Sequence, residues 1–428
     1  MKKSRYCITA VLLLLFSVLA LGGCDSSILK EVPRTAAVSG KQDGSGKQGR
    51  SRNQESGRQQ ENINTTDEPE ATEAYEEEPF CFTMESASSF TYDRLSEAEQ
   101  IWYKDMERLI GSMEEKGKLS EQGITAGLDE TSIDRIFQCM LNDHPEFFYV
   151  DGYTYTKYTM GDTLLSIEFS GNYSMDMDTA KQRKTMIEEA VEPVISGISA
   201  EADDYDKVKY VYETIILNTD YNLDASDNQN IYSVFVNKSS VCQGYAKATQ
   251  YLLNRLGVEC TMVQGSVDTG EGHAWNLVSV DGSFYYVDAT WGDAYYNRES
   301  ESLPQEGYPE INYDYLCITT KDLMRTHILN TYVPMPECVD TKDNYYVREG
   351  ALFTAYDKEQ MKQLFDNAKL NNKTFVTVKC ADEASFQEIM GALITDYEIF
   401  EYLDREDKEV SYSHDEKWLS LTFWVTNE

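Results

Sequence analysis

The stretch SSVCQGYAKATQYLLNRLG, from Ser239 to Gly257, decides the fold. Tyr245, Ala248, Thr249, Leu252, Leu253 and Leu256 recur at helical spacing, so the segment predicts an amphipathic helix with one buried stripe. Ser239 or Ser240 can cap its start, and Gly257 suits the residue just past its end. Cys242 then falls in the first turn, where unpaired N–H groups and the positive end of the helix dipole favour an anion. Gly244 is a poor helix former but leaves room for another backbone or a substrate. Three readings of Cys242 compete: a buried core thiol, half of a disulfide, or a nucleophile.

The next segment changes the balance. HAWNLVSVDGSFYYVDATWGD, His273 to Asp293, holds two alternating runs around Asp281-Gly282, a strong two-residue hairpin signal. With that turn, Val280 pairs with Ser283, Trp275 lies opposite Asp288, and His273 lies opposite Thr290. His273 and Asp288 become diagonal neighbours on one face, roughly 7–8 Å apart along the backbone. A carboxylate there holds an imidazole in one tautomer. Asp293, in the same WGD run, is a rival for that task which the register does not exclude. A cysteine at a helix start, a histidine and an acid supply the residue types of nucleophile, base and orienting group.

SVCQGYAKATQYLLNRLGVEC, GHAWNLV and YYVDATWGD together resemble the transglutaminase-like superfamily in its bacterial extracellular branch. DKVKYVYETIILNTDYN, just upstream, resembles the helix that leads into that core. The resemblance covers Asp204 to Asp293. It implies an α+β, papain-like core in which a cysteine-bearing helix packs on an antiparallel sheet carrying histidine and aspartate. It also implies Cys242 as nucleophile, His273 as base and Asp288 as orienting acid. Attack on an amide would then give a thioester, resolved by an amine or by water. No cofactor or metal is expected. DASDNQNIYSVF, after Leu223, lacks the central Gly and terminal Glu of a calcium loop, no C-x-x-C pair occurs, and the four histidines are scattered.

The ends of the chain speak to location. Lys2, Lys3 and Arg5 precede the apolar run VLLLLFSVLALGG, a secretory leader too short for a comfortable membrane span. LGGC, Leu21 to Cys24, resembles a bacterial lipobox, which implies cleavage before Cys24 and lipidation of its thiol. Residues 24–80 are rich in Gly, Ser, Gln and charge, and predict a disordered surface tether. From Cys24 onward 35 basic residues face 74 acidic ones, once Lys2, Lys3 and Arg5 are set aside. That balance argues against nucleic acid as a partner. Removing Cys7 and Cys24 from the nine cysteines leaves seven, an odd count that points to at least one free thiol.

The remainder divides by pattern. Residues 81–200 form an N-terminal α/β extension opening with a Ser96–Glu99 capping box, and 201–340 form the core. Residues 341–428 form a small α+β module without a chemical motif, whose His414 reads as a surface residue. Pro193 should end or kink the helix that begins near Thr179. Two functions from different classes follow. One is a surface-anchored thiol enzyme acting on amide bonds of extracellular protein or cell-wall peptide. The other is a binding or scaffolding lipoprotein that keeps the fold without turnover, a reading that a disulfide from Cys242 to Cys260 would favour.

Overall fold

A computed structural model describes residues 10–13, 81–84, 88–293, 309–403 and 410–425. Cys24, the tether expected over 24–80 and the leader other than 10–13 lie outside the described residues. Among the described residues no helix is long and apolar enough to cross a membrane.

The N-terminal extension is launched by its capping box. The Ser96 side chain accepts from the Glu99 N–H, and the Glu99 carboxylate accepts from the Ser96 N–H at 2.9 Å. Trp102, Met106, Leu109 and Ile110 of this helix, Glu97–Gly111, share one core with Ile136, Phe137 and Met140 of the helix Ile133–Asp143. Strands Val150–Met160 and Thr163–Tyr173 pair antiparallel beside them, and Ala10–Leu13 run along the other edge of the first. The aromatic run before Val150 is not strand: Phe147, Phe148 and Tyr149 turn inward and are buried. The following helix, Met177–Ser196, runs through Pro193 instead of stopping there. The proline lies within its last turn, so the missing N–H costs one bond near an end that frays in any case.

The core is a four-stranded antiparallel sheet in the spatial order His327–Leu329, Cys260–Val267, Gly272–Val280, Ser283–Val287. The Cys242–Arg255 helix lies across it. Tyr245, Ala248, Leu252 and Leu253 are fully buried, as the stripe predicts. Ala246, Met262 and Ala274 form a small apolar seam, and the Asn276 amide donates to the Ala246 carbonyl at 2.9 Å, tying helix to strand. Asp281 (φ 48°) and Gly282 (φ 80°) make the hairpin turn, and Val280 pairs with Ser283. Both residues are left-handed, the signature of a turn whose twist matches the strands. The ladder stops at Asn276–Val287. The expected pairs Trp275–Asp288 and His273–Thr290 do not form, because Asp288 caps a short helix, Ala289–Gly292, and turns the chain away.

The C-terminal module has its own core, built from residues that include Phe353, Met361, Phe365, Val378, Phe386 and Leu421. Its sheet orders Leu352–Phe353, Phe375–Cys380, Ser420–Trp424 and Tyr412–Asp415. The last of these is an edge strand that the sequence pattern did not announce, and His414 on it is exposed.

Gly265 is where the core sheet is tightest. A Cβ there would sit 2.0 Å from the Ile328 carbonyl oxygen and 2.6 Å from the Trp275 ring. Gly265→Ala should therefore push apart the strands Cys260–Val267 and His327–Leu329 and cost about 1–3 kcal/mol. Thermal denaturation checks this, with a lower Tm expected; an unchanged Tm would mean the two strands separate freely.

Candidate active site

Cys242 is the first residue of its helix and is partly exposed. Neither preceding serine caps that helix. Ser239–Ser240 instead pair in parallel with Asp220–Tyr221, and the Ser240 hydroxyl donates to the Asn228 carbonyl at 2.8 Å beside Ser233 at 2.6 Å. The N-cap position falls to Val241, which offers no side-chain acceptor. The donors of the first turn thus lack a side-chain partner, as an anion-binding helix start requires. Gly244 has a related explanation. A Cβ there would lie 2.0 Å from Ser240 Oγ and 3.0 Å from the Asn228 oxygen, so the glycine admits the neighbouring chain and not a substrate.

His273 reaches this helix start from the sheet. Its Nε2–H donates to Asp288 Oδ2 at 2.8 Å, and the neighbouring Cys242 also helps to raise the ring. Because Nε2 is taken by the carboxylate, Nδ1 is the nitrogen on the cysteine side. Burial disfavours the imidazolium, but the Asp288 charge and hydrogen bond outweigh it and raise His273 to about 10. Asp288 is 1% exposed and its two oxygens accept four N–H groups. Oδ1 takes the backbone N–H of Thr290 at 2.9 Å and of Trp291 at 3.1 Å. Oδ2 takes His273 and, at 3.0 Å, Nε2 of His327. Burial alone would raise this carboxyl, yet the two histidines hold it well below the usual carboxylate range.

The rival acid has a different partner. Asp293 Oδ2 lies 2.6 Å from the Tyr245 hydroxyl, which also lies 2.7 Å from the Thr219 carbonyl. One phenolic proton cannot fully serve two oxygens, whereas a protonated Asp293 can donate to Tyr245 while Tyr245 donates to Thr219. Burial raises Asp293 to about 6, against the Tyr245 hydrogen bond and with help from the Asp220 charge.

His327 was not singled out by the sequence. It sits in RTHIL with no motif around it, 54 residues after His273, and strand pairing of His327–Leu329 with Gly265–Val267 carries it to the site. It is 1% exposed, with Trp275, Trp291 and Tyr315 around it at ring separations of 4.8, 4.9 and 5.9 Å. Thr326 Oγ1 lies 2.7 Å from its Nδ1.

Among the described residues, His273, Asp288 and His327 are the one trio whose ligand-type atoms fall within 4.8 Å of one another. Both imidazoles meet the same carboxylate oxygen at hydrogen-bond distance, the arrangement of two N–H donors sharing an acceptor. A transition metal at about 2.0–2.2 Å would need both nitrogens stripped of their protons. The trio fits hydrogen bonding. All seven described cysteines are free, so Cys242 and Cys260 are not joined. Burial raises Cys139, Cys338 and Cys380 to about 12, which leaves them inert, while Cys242 and Cys81 reach solvent.

Comparison with known proteins fits this geometry. Residues 193–289 match the model of the transglutaminase-like superfamily. Kyphoscoliosis peptidase of Mus musculus is 24% identical over 130 residues, 26% of this chain and 20% of that protein. Its Homo sapiens counterpart is 25% identical over 119 residues, 24% of this chain and 18% of that protein, so the chain spans about a fifth of the length of these curated relatives. A crystal structure of a TGase aligns with 35% of this chain and 47% of its own, at 15% identity and a TM-score of 0.25. The periplasmic domain of TgpA from Pseudomonas aeruginosa aligns with 34% of this chain and 73% of its own, at 13% identity and a TM-score of 0.20. Residues 193–289, within the α+β core, thus carry a transglutaminase-like domain.

Proposed function

We propose that this protein is a lipid-anchored, extracytoplasmic thiol enzyme that acts on amide bonds of extracellular protein or cell-wall peptide. One observation carries the reading: Cys242 stands at an uncapped helix start, beside a His273 that Asp288 holds through Nε2. In this mechanism the Cys242 sulfur attacks the amide carbon and forms a C–S bond. The carbonyl oxygen becomes an oxyanion facing the first-turn N–H groups, with the Cys242 N–H as natural first donor. The C–N bond then breaks, and the amine leaves with the proton from His273 Nδ1. Water or a second amine attacks the thioester while His273 takes its proton, and the C–S bond breaks to return the thiol group. Hydrolysis, deamidation and cross-linking share this course up to the thioester. Asp288 stays ionised throughout and keeps the Nε2–H in place.

The leader and LGGC motif support anchoring at Cys24, and the acidic balance supports a non-nucleic-acid substrate.

Three measurements test the reading. Alkylation of Cys242 at pH 6, followed on its own peptide because Cys81 is also accessible, should be fast and should fall at least about tenfold in His273→Ala. Equal slow rates in both proteins would leave a fold without an activated thiol. Linkage gives the second. His273 is raised on folding, so its stabilisation is complete below about pH 6.5 and drains away as pH climbs through about 10. Wild type should therefore lose its Tm advantage over His273→Gln across that window, and a constant gap would contradict the ion pair. The third concerns location: Cys24→Ser should move the protein from the membrane fraction to the soluble one, and unchanged partitioning would refute the anchor.

A further inference from the structure

The C-terminal module keeps its own core, but it places one side chain in the core of the catalytic domain. Trp418, in the turn before the strand Ser420–Trp424, is 7% exposed and clusters with the main core instead of with the module. Its ring meets Tyr315 edge-on at 4.9 Å. The turn is pinned from several sides. The Trp418 N–H donates to Asp415 at 2.9 Å, and Arg325 donates to the Lys417 carbonyl at 2.8 Å. Lys379 lies 4.6 Å over the indole while its ammonium pairs with buried Asp314 at 2.8 Å.

Tyr315 is the next link. Its carbonyl accepts the Asp288 backbone N–H at 3.0 Å. Its ring packs edge-on against Trp291 at 5.3 Å and His327 at 5.9 Å. Beside it, Thr326 Oγ1 lies 2.7 Å from His327 Nδ1 and can donate there, while His327 Nε2–H donates to Asp288 Oδ2 at 3.0 Å. His327 is thereby fixed as the Nε2–H tautomer, the form that donates to Asp288.

We propose that Trp418 and His327 are positioning residues: the C-terminal module, through Trp418 packed on Tyr315, which in turn packs on His327 and accepts the Asp288 backbone N–H, fixes the orientation of Asp288 and hence of His273. The module closes the catalytic centre from behind instead of serving only as an appendage. This rests on the reading of Cys242, His273 and Asp288 as the reacting group, but its primary test does not depend on that group turning over.

The test uses the full chain with nitrogen-15 in its four histidine rings, assigned by single substitutions. Wild type should show a His273 ring locked in one form with a slowly exchanging Nε2–H. Trp418→Ala and His327→Leu should release that proton to fast exchange, whereas His327→Gln, which keeps a donor toward Asp288, should retain it. Phe365→Ala, a truncation in the module's own core, should leave it untouched. Cys242 alkylation at pH 6 should drop about tenfold with the first two variants and not with the last two. A wild-type His273 spectrum in folded Trp418→Ala would overturn the proposal, as would an equal effect from Phe365→Ala. Should Trp418→Ala not fold, Trp418→Leu, which keeps an apolar side chain but removes the ring contact with Tyr315, must show the same release. If the ring proton responds as expected while wild-type Cys242 labels slowly and independently of His273, the positioning stands and the thiol-enzyme reading falls.

Discussion

One carboxylate organises this molecule. Asp288 is almost wholly enclosed, and an ionised carboxylate in such a place costs several kcal/mol unless its lone pairs are met. Four N–H groups meet them, two from the backbone just ahead and two from histidines on different strands. The short helix after the hairpin, the end of the β-ladder and the placement of His327–Leu329 all follow from that requirement. An apolar residue at 288 would leave two imidazoles and two backbone amides without an acceptor at once. The negative charge is therefore both the reason the centre folds as it does and the reason His273 holds its proton so firmly.

Tight hydrogen bonding of this kind needs dry surroundings, since water at the carboxylate would compete with every donor. Trp275, Trp291 and Tyr315 provide them, and none of these rings belongs to the helix that carries the cysteine. The Cys242 side of the site is built differently. There a short parallel pairing of Asp220–Tyr221 with Ser239–Ser240 draws both serines away from the helix start and leaves it open. One half is sealed and charged, the other open and unpartnered, and the His273 ring spans the two.

Much of this was legible in the residues because the signals are local. The helix stripe from Tyr245 to Leu256 and the Asp281-Gly282 turn each depend on a few neighbouring side chains, and both appear where the pattern places them. The meeting of His273 with Asp288 was legible for a reason only partly correct. The sequence implied a diagonal across a continuing ladder, whereas the contact arises because the ladder ends and Asp288 turns to cap a helix. Ser240 shows the opposite failure: a good capping residue is recruited by a distant carbonyl that local propensity cannot weigh. His327 and Trp418 were invisible because their roles depend on pairings across dozens of residues, and neither stands in a pattern of its own. Pro193 adds a smaller lesson, since a proline in a last turn gives up a bond that helix ends spare easily.

The aromatic enclosure has an optical consequence. The chain holds five tryptophans, and three of them, Trp275, Trp291 and Trp418, surround the histidine pair or its support. Protonated imidazole quenches indole emission at contact, whereas neutral imidazole does so weakly. Trp275 and Trp291 thus lie against the groups whose protonation defines the centre, with Trp418 one ring away, and their emission dims while those groups carry charge. The intensity of that emission is a built-in gauge of the charge on the imidazoles, readable without a label and in dilute solution.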